Sequence, residues 1–249
     1  MESTNIRHIN HIHCKKIGLS FLVLLISGNM FGQALNKPFY DYDRWIHFGF
    51  TIGFNYSTLK YDPSLLKYAQ NQVLSVSSQG NPGITLGAVA DWHVGSKKSY
   101  LREHFDIRAI PSLVLSERDI KFTFVGDSIV TKTIESAFVE LPIMIKLKSD
   151  RVGNTRFYAI GGGNFAYDLS STANAIKNPK DPKISLYPTN YSYEFGAGLD
   201  LYFPYFKFSP EIKVSQGINN VLVPDNTIFS GLFSRMRSNF IFFSLYFEG

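Results

Sequence analysis

The chain contains eight segments in which apolar and polar residues alternate with a period of two. In the first segment one parity is large and apolar and the other is small or polar: Ile46, Phe48, Phe50, Ile52, Phe54 and Tyr56 against His47, Gly49, Thr51, Gly53, Asn55 and Ser57. Successive side chains on a strand point to opposite faces, so a strand between lipid and a polar interior must read this way. The pattern predicts an all-β protein, an eight-stranded antiparallel transmembrane β-barrel of the outer membrane of a Gram-negative cell.

The predicted strands are joined by connections that are alternately long and short. We place the strands at about residues 45–57, 82–94, 104–115, 133–148, 155–168, 191–203, 206–217 and 238–248. Bacterial barrels have short periplasmic turns and longer extracellular loops, so the first connection, residues 58–81, is expected to face outward. The third strand is expected to continue into a hairpin with its turn at Gly126-Asp127.

The N-terminus carries the features of a secretory signal peptide. Arg7, Lys15 and Lys16 precede an apolar run over residues 17–26, and small and polar residues follow up to Gly32. The run is about half the roughly 20 residues that a membrane-spanning helix needs, which disfavours a transmembrane anchor. We therefore expect a cleaved signal peptide at 1–32, a short periplasmic segment at 33–44 and the barrel at 45–249.

Composition narrows the function classes. The one cysteine, Cys14, lies in the predicted signal peptide, so the mature chain is expected to have no disulfide and no thiol chemistry. That peptide also holds three basic and one acidic residue, and without it the net charge falls from +5 to +3, too little to indicate nucleic-acid binding. The mean hydropathy of -0.04 averages over the alternation. A soluble, lipocalin-like barrel is the structural alternative.

Many residues on the inward parity are charged. An eight-stranded barrel has room inside only for its own side chains, so these residues predict an interior filled by hydrogen bonds and ion pairs rather than a channel. We expect no cofactor there. The predicted interior set comprises Asp91, Asp106, Arg108, Glu140, Lys146, Asn164, Asp168, Glu194, Asp200, Glu211 and Lys213.

Three histidines of the mature chain, His47, His93 and His104, lie on the polar parity near periplasmic strand ends. With Asp91 and Asp106 they are a candidate zinc site, because imidazole and carboxylate are zinc ligands. A structural role at a wet rim is favoured, since the first and third strands stand about 10 Å apart across the second. We predict no metal site, and metal binding by these three histidines stays the alternative. We also predict no catalytic residue, because every one of these histidines lies at the end away from the outward carboxylates.

Basic residues gather on the predicted inward turns. Lys97, Lys98, Arg102, Lys148 and Arg151 are our candidate docking residues for a periplasmic or inner-membrane partner. The alternative is that these charges are only solvated turn residues.

Several segments of the chain resemble the PorT family. They are residues 45–55, Pro82-Gly83-Ile84, Glu140-Leu141-Pro142, residues 158–164, residues 193–198 and residues 204–211, followed by Gly217, Asn219 and Asn220. The block from Pro204 to Glu211 is the most specific of these. The resemblance implies an outer-membrane β-barrel associated with type IX secretion and gliding motility, and it brings no catalytic residues with it.

The resemblance implies a non-enzymatic component of a type IX protein secretion and gliding machinery, needed for export or assembly at the outer membrane. Its expected partners are outer-membrane lipid and other secretion proteins, with no nucleic acid and no small-molecule substrate. The alternatives are a barrel enzyme that acts on lipid or protein, and a small surface adhesin or ligand-binding barrel.

Overall fold

A computed structural model describes residues 35–37, 40, 44–64, 73–95, 100–126, 128–171, 184–224 and 230–249. The predicted signal peptide lies outside these residues. Within them, no helix is both long enough and apolar enough to cross a membrane.

The described residues form ten strands, one short α-helix and one 3₁₀ turn. The strands are β1 (Ile46–Pro63), β2 (Val73–Gly80), β3 (Pro82–His93), β4 (Phe105–Ala109), β5 (Ser112–Phe124), β6 (Ile129–Lys148), β7 (Thr155–Asp168), β8 (Thr189–Tyr202), β9 (Lys207–Gly217) and β10 (Phe233–Glu248). Helix α1 (Tyr100–His104) precedes β4, and the 3₁₀ turn (Ser230–Leu232) precedes β10.

The strands close into a barrel because β1 pairs antiparallel with both β10 and β3. Strands β2 and β3 are separated only by Asn81, and β4 and β5 only by Ile110 and Pro111, so each pair forms one wall of the barrel. Both β4 and β5 pair with β6, and the remaining strands follow in chain order. The predicted eight-stranded antiparallel barrel is confirmed.

Burial follows the alternation of the sequence. Along β1, the inward side chains of His47, Thr51 and Asn55 are buried, whereas Phe48 and Phe54 are 67% and 64% exposed on the outer face. The same alternation runs through the C-terminal half of β6, where the outward residues from Val139 to Leu147 are apolar and exposed. This gives the barrel an apolar outer band and a polar interior, which is the arrangement that a membrane-spanning barrel requires.

The structure differs from the predicted elements in three places. Strand β2 falls within the predicted first connection, and α1 lies in the predicted short connection before the third strand. That strand is also interrupted at Pro111, which has no N–H to donate to a ladder. The carbonyl of Pro111 accepts from the N–H of Ala88, and the N–H of Ile110 donates to Pro142, so the wall stays connected across the interruption.

The two ends of the barrel are built differently. The short turns at 149–154 and 203–206 lie at the same end as Ile46 and Gly249, whose N–H donates to Phe48. At the other end, extensions of β1, β2, β5 and β10 enclose an apolar cluster with the long connections: Leu59, Val73, Ile120, Phe122, Ile184, Leu186, Val221, Leu222, Leu232, Phe233 and Met236. Connection lengths therefore agree with a periplasmic end that holds Ile46 and Gly249 and an extracellular end with its own apolar core.

Candidate functional site

Arg108 lies at the centre of the periplasmic half of the interior. Its guanidinium donates two hydrogen bonds to Asp91, from Nε at 2.6 Å and from Nη2 at 2.7 Å. It also contacts Glu211 at 3.2 Å and Glu248 at 2.9 Å. All four side chains are fully buried. Because a buried charge is tolerated only when it is paired and hydrogen-bonded, the network depends on each of its members.

Two buried lysines extend this network. Lys146 Nζ lies 2.9 Å from Asp200, and Lys207 Nζ lies 2.7 Å from Glu248. Asp200 also accepts a hydrogen bond of 2.6 Å from the hydroxyl of Ser209. Lys207 and Glu248 lie opposite each other in the ladder between β9 and β10, and Lys146 on β6 reaches Asp200 on β8, so these pairs link adjacent and next-adjacent strands on the inner face.

Tyrosine and amide groups complete the filling. The hydroxyls of Tyr158 and Tyr246 donate to Glu211 at 2.9 and 3.0 Å. Nearer the extracellular end, Glu194 pairs with Lys213 at 2.6 Å and accepts from the amide of Asn164. The predicted filled interior is confirmed, since each member of the predicted set is buried: Asp91, Asp106, Arg108, Glu140, Lys146, Asn164, Asp168, Glu194, Asp200, Glu211 and Lys213.

The periplasmic mouth of the barrel is occupied by Tyr40, which precedes β1. Its ring stacks on His47 with centroids 3.9 Å apart and meets Tyr202 edge-on at 5.6 Å. The ammonium of Lys207 lies 4.7 Å from the ring centroid, and the hydroxyl donates to Glu248 at 3.5 Å. Burial raises the pKa of the Tyr40 phenol, so the side chain that closes the periplasmic mouth stays neutral. No sequence pattern singles out this residue.

Arg151, one of the predicted docking residues, holds the chain that leads to Tyr40. Its guanidinium donates to the carbonyls of Asn36 and Lys37 and lies 3.8 Å from the ring centroid of Tyr202. The first described residues are thereby fixed to the turn between β6 and β7. Arg151 is only partly buried, so part of its side chain reaches the periplasmic surface although its three guanidinium nitrogens all donate within the chain.

Two other predicted docking residues are not surface charges. Arg102 is fully buried, donates to the carbonyl of Arg44 at 2.9 Å and lies 4.4 Å from the ring of Trp45. Lys148 is buried and pairs with Asp106 at 2.9 Å. The expectation that they are exposed on inward turns is wrong, because Lys148 is the last inward residue of β6 and its long side chain turns into the barrel. Lys97 and Lys98 lie outside the described residues.

The three histidines do not converge on one point. His93 and His47 have ring centroids 4.9 Å apart, and His93 Nδ1 lies 2.5 Å from Asp106. His104 instead contacts the carbonyl of Lys148 through Nδ1 at 2.9 Å. Over the part of the chain that the structure describes, no three or more histidine, cysteine or acidic side chains are placed to hold a metal ion. The histidines are buried rather than at a wet rim, which corrects the sequence interpretation.

A family profile described as the outer-membrane protein β-barrel domain matches residues 31–223. The chain belongs to this family. Its location is accordingly the outer membrane of a Gram-negative cell. No relative was found among curated proteins.

Solved structures with a similar fold have low sequence identity to the barrel. Ail, the attachment invasion locus protein of Yersinia pestis, is 12% identical over 83% of this chain and 100% of its own, with a TM-score of 0.37. OprG of Pseudomonas aeruginosa is 9% identical over 82% and 91%, with a TM-score of 0.43. The outer-membrane protease OmpT of Escherichia coli is 11% identical over 82% and 95%, with a TM-score of 0.33. At these scores the similarities carry no information on function.

Proposed function

We propose that this barrel is a non-enzymatic component of a type IX protein secretion and gliding machinery, required for export or assembly at the outer membrane. The proposal rests on the resemblance of its sequence segments to the PorT family, which is closest over residues 204–211. That block covers the turn between β8 and β9 and the start of β9, at the periplasmic end of the barrel.

The filled interior supports a role at the surfaces of the barrel rather than through its centre. Arg108, Lys146 and Lys207 and their carboxylates occupy the lumen, and Tyr40 closes its periplasmic mouth. A barrel of this kind offers no path for cargo through its own centre, because each buried charge would have to give up its partner. We therefore assign the function to the surfaces of the barrel, which acts as a membrane-anchored docking element for a partner protein.

The periplasmic face supplies the surface for a partner. Arg151 is partly exposed there, and Tyr205 on the neighbouring turn is 89% exposed. Arginine and tyrosine are enriched where protein partners bind. Lys97 and Lys98 lie outside the described residues and remain docking candidates from the sequence, together with Arg151.

Secretion assays in cells test this proposal. Deletion of the protein should block export of many cargo proteins together. A variant with Lys97, Lys98 and Arg151 changed to Gln should reduce export while the barrel remains abundant. The matched control changes three basic residues near the extracellular end, Lys60, Arg235 and Arg237, to Gln and should export normally.

Normal secretion in the deletion strain would rule the proposal out. If export is intact but lipid or surface protein is processed differently, a barrel enzyme is supported instead. Loss of surface attachment alone would support an adhesin. Normal export by the Lys97, Lys98 and Arg151 variant, at wild-type abundance, would leave the secretion role standing and reject these residues as the docking site.

A further inference from the structure

Arg118 is a buried cation of the extracellular half that lacks a carboxylate partner among the described residues. It lies on the inward face of β5 and is fully buried. Within the described residues no acidic side chain lies within 4.0 Å of its guanidinium, and its Nε has no hydrogen-bond acceptor. An unpaired buried charge is strongly unfavourable, so this position requires an explanation.

The other interior cations make the contrast clear. Arg108, Lys146 and Lys213 each lie within 3 Å of a carboxylate oxygen. The acidic group that influences Arg118 electrostatically is Asp168, which lies beyond ion-pair distance. One oxygen of Asp168 already accepts from two backbone N–H groups, those of Ala137 and Ser170.

The surroundings of Arg118 consist of hydroxyls and aromatic rings. Its two terminal nitrogens donate to the hydroxyls of Ser136 and Ser238. Phe138 and Phe240 lie on its flanks, with ring centroids 5.5 and 5.9 Å from the guanidinium carbon. The rings stabilise the cation in part, but they do not supply an acceptor for Nε.

A second unpartnered group lies beside the first. Ser116 is two residues before Arg118 on the same inward face, and it pairs in register with Ser136 across β5 and β6. Its buried hydroxyl has no hydrogen-bond partner among the described residues. A guanidinium N–H and a hydroxyl, both buried and both without a partner in the described part of the chain, therefore lie two residues apart on the inward face of β5.

We propose that Arg118, with the hydroxyl of Ser116, binds a small inorganic anion, of which chloride is the simplest example. The anion accepts from Arg118 Nε and from Ser116, and it neutralises the charge that no described carboxylate neutralises. Monatomic size suits the site because Ser136, Ser238, Phe138 and Phe240 already surround the guanidinium. The proposal is independent of the role in secretion.

A thermal-unfolding measurement on the purified full-length barrel in detergent tests this site. Replacing gluconate by chloride at constant ionic strength should raise the unfolding temperature by about 2–4 °C. The Arg118→Gln variant should lose this chloride dependence. Arg235→Gln removes one exposed arginine near the same end of the barrel and should keep it.

A crystal soaked in bromide gives a second measurement that needs no variant. Anomalous scattering should place one bromide within hydrogen-bond distance of Arg118 and Ser116. Equal unfolding temperatures of the wild-type barrel in the two salts overturn the proposal. So does a site that holds water and no bromide, because the buried guanidinium is then stabilised by hydration alone.

Discussion

Arg108 joins carboxylates from three other strands, namely Asp91 on β3, Glu211 on β9 and Glu248 on β10. Replacing it by Met keeps much of the volume but leaves these three acids without their shared cation. We expect a loss of about 3–5 kcal/mol in the free energy of unfolding, because the desolvation free energy of the remaining buried carboxylates is then no longer offset by pairing with the guanidinium. Urea unfolding of the barrel in lipid vesicles measures this loss.

Arg235→Met is the matched control for that measurement. Arg235 is exposed near the extracellular end, so its replacement should change the free energy of unfolding by no more than about 0.5 kcal/mol. Equal stability of the two variants would contradict the central role given to Arg108.

At the scale of single elements, β7 contains three consecutive glycines at 161–163, and these differ in what surrounds them. A Cβ on Gly162 would collide with the backbone carbonyl of Ile143 on β6, whereas one on Gly161 would meet only an atom 3.9 Å away. Gly162→Ala should therefore disturb the ladder between β6 and β7, while Gly161→Ala should be tolerated. The fraction of each variant with the heat-modifiable gel shift of a folded barrel measures the difference. Equal folded fractions would contradict it.

The sequence predicted the strands well where both faces have a defined environment. Along β1 and β9 the lipid and the filled interior impose alternation, and the inward charges followed from it. Above the membrane this constraint weakens, and β2, with the sequence VLSVSSQG, shows little outward apolar character. Its pairing with β5 was therefore not predicted. Arg118 was missed for the same reason, because it lies where the sequence indicated a hairpin beyond the membrane.

At the scale of the whole molecule, the orientation of the barrel determines which connections proteases can reach. Trypsin added to intact cells should cut within the long connections, at sites such as Lys67, Lys177 and Lys180, and should leave Arg151 intact. The physical reason is that Arg151 lies on a periplasmic turn, behind the membrane. Mass spectrometry of the released peptides identifies the sites. Cleavage at Arg151 in cells with an intact outer membrane would reverse the topology.

Closure of the barrel could be predicted because it depends on the number of alternating segments, which repeat along the chain. The orientation stays a prediction from the connection lengths. The closure of the periplasmic mouth by Tyr40 could not be predicted from the sequence. Tyr40 lies before the first strand, in a segment without periodic alternation, so the sequence gives no sign of which way its ring points. Its position depends on His47, Tyr202 and Lys207, which come together only in three dimensions.

The site that receives Tyr40 also fixes an order of events during folding. Its walls come from β1 through His47, from β8 through Tyr202, from β9 through Lys207 and from β10 through Glu248. The first of these strands is separated from the other three by residues 64–188, and it meets β10 only when the barrel closes. The ring can therefore enter its place only after closure, so its insertion is a late step that marks the finished barrel.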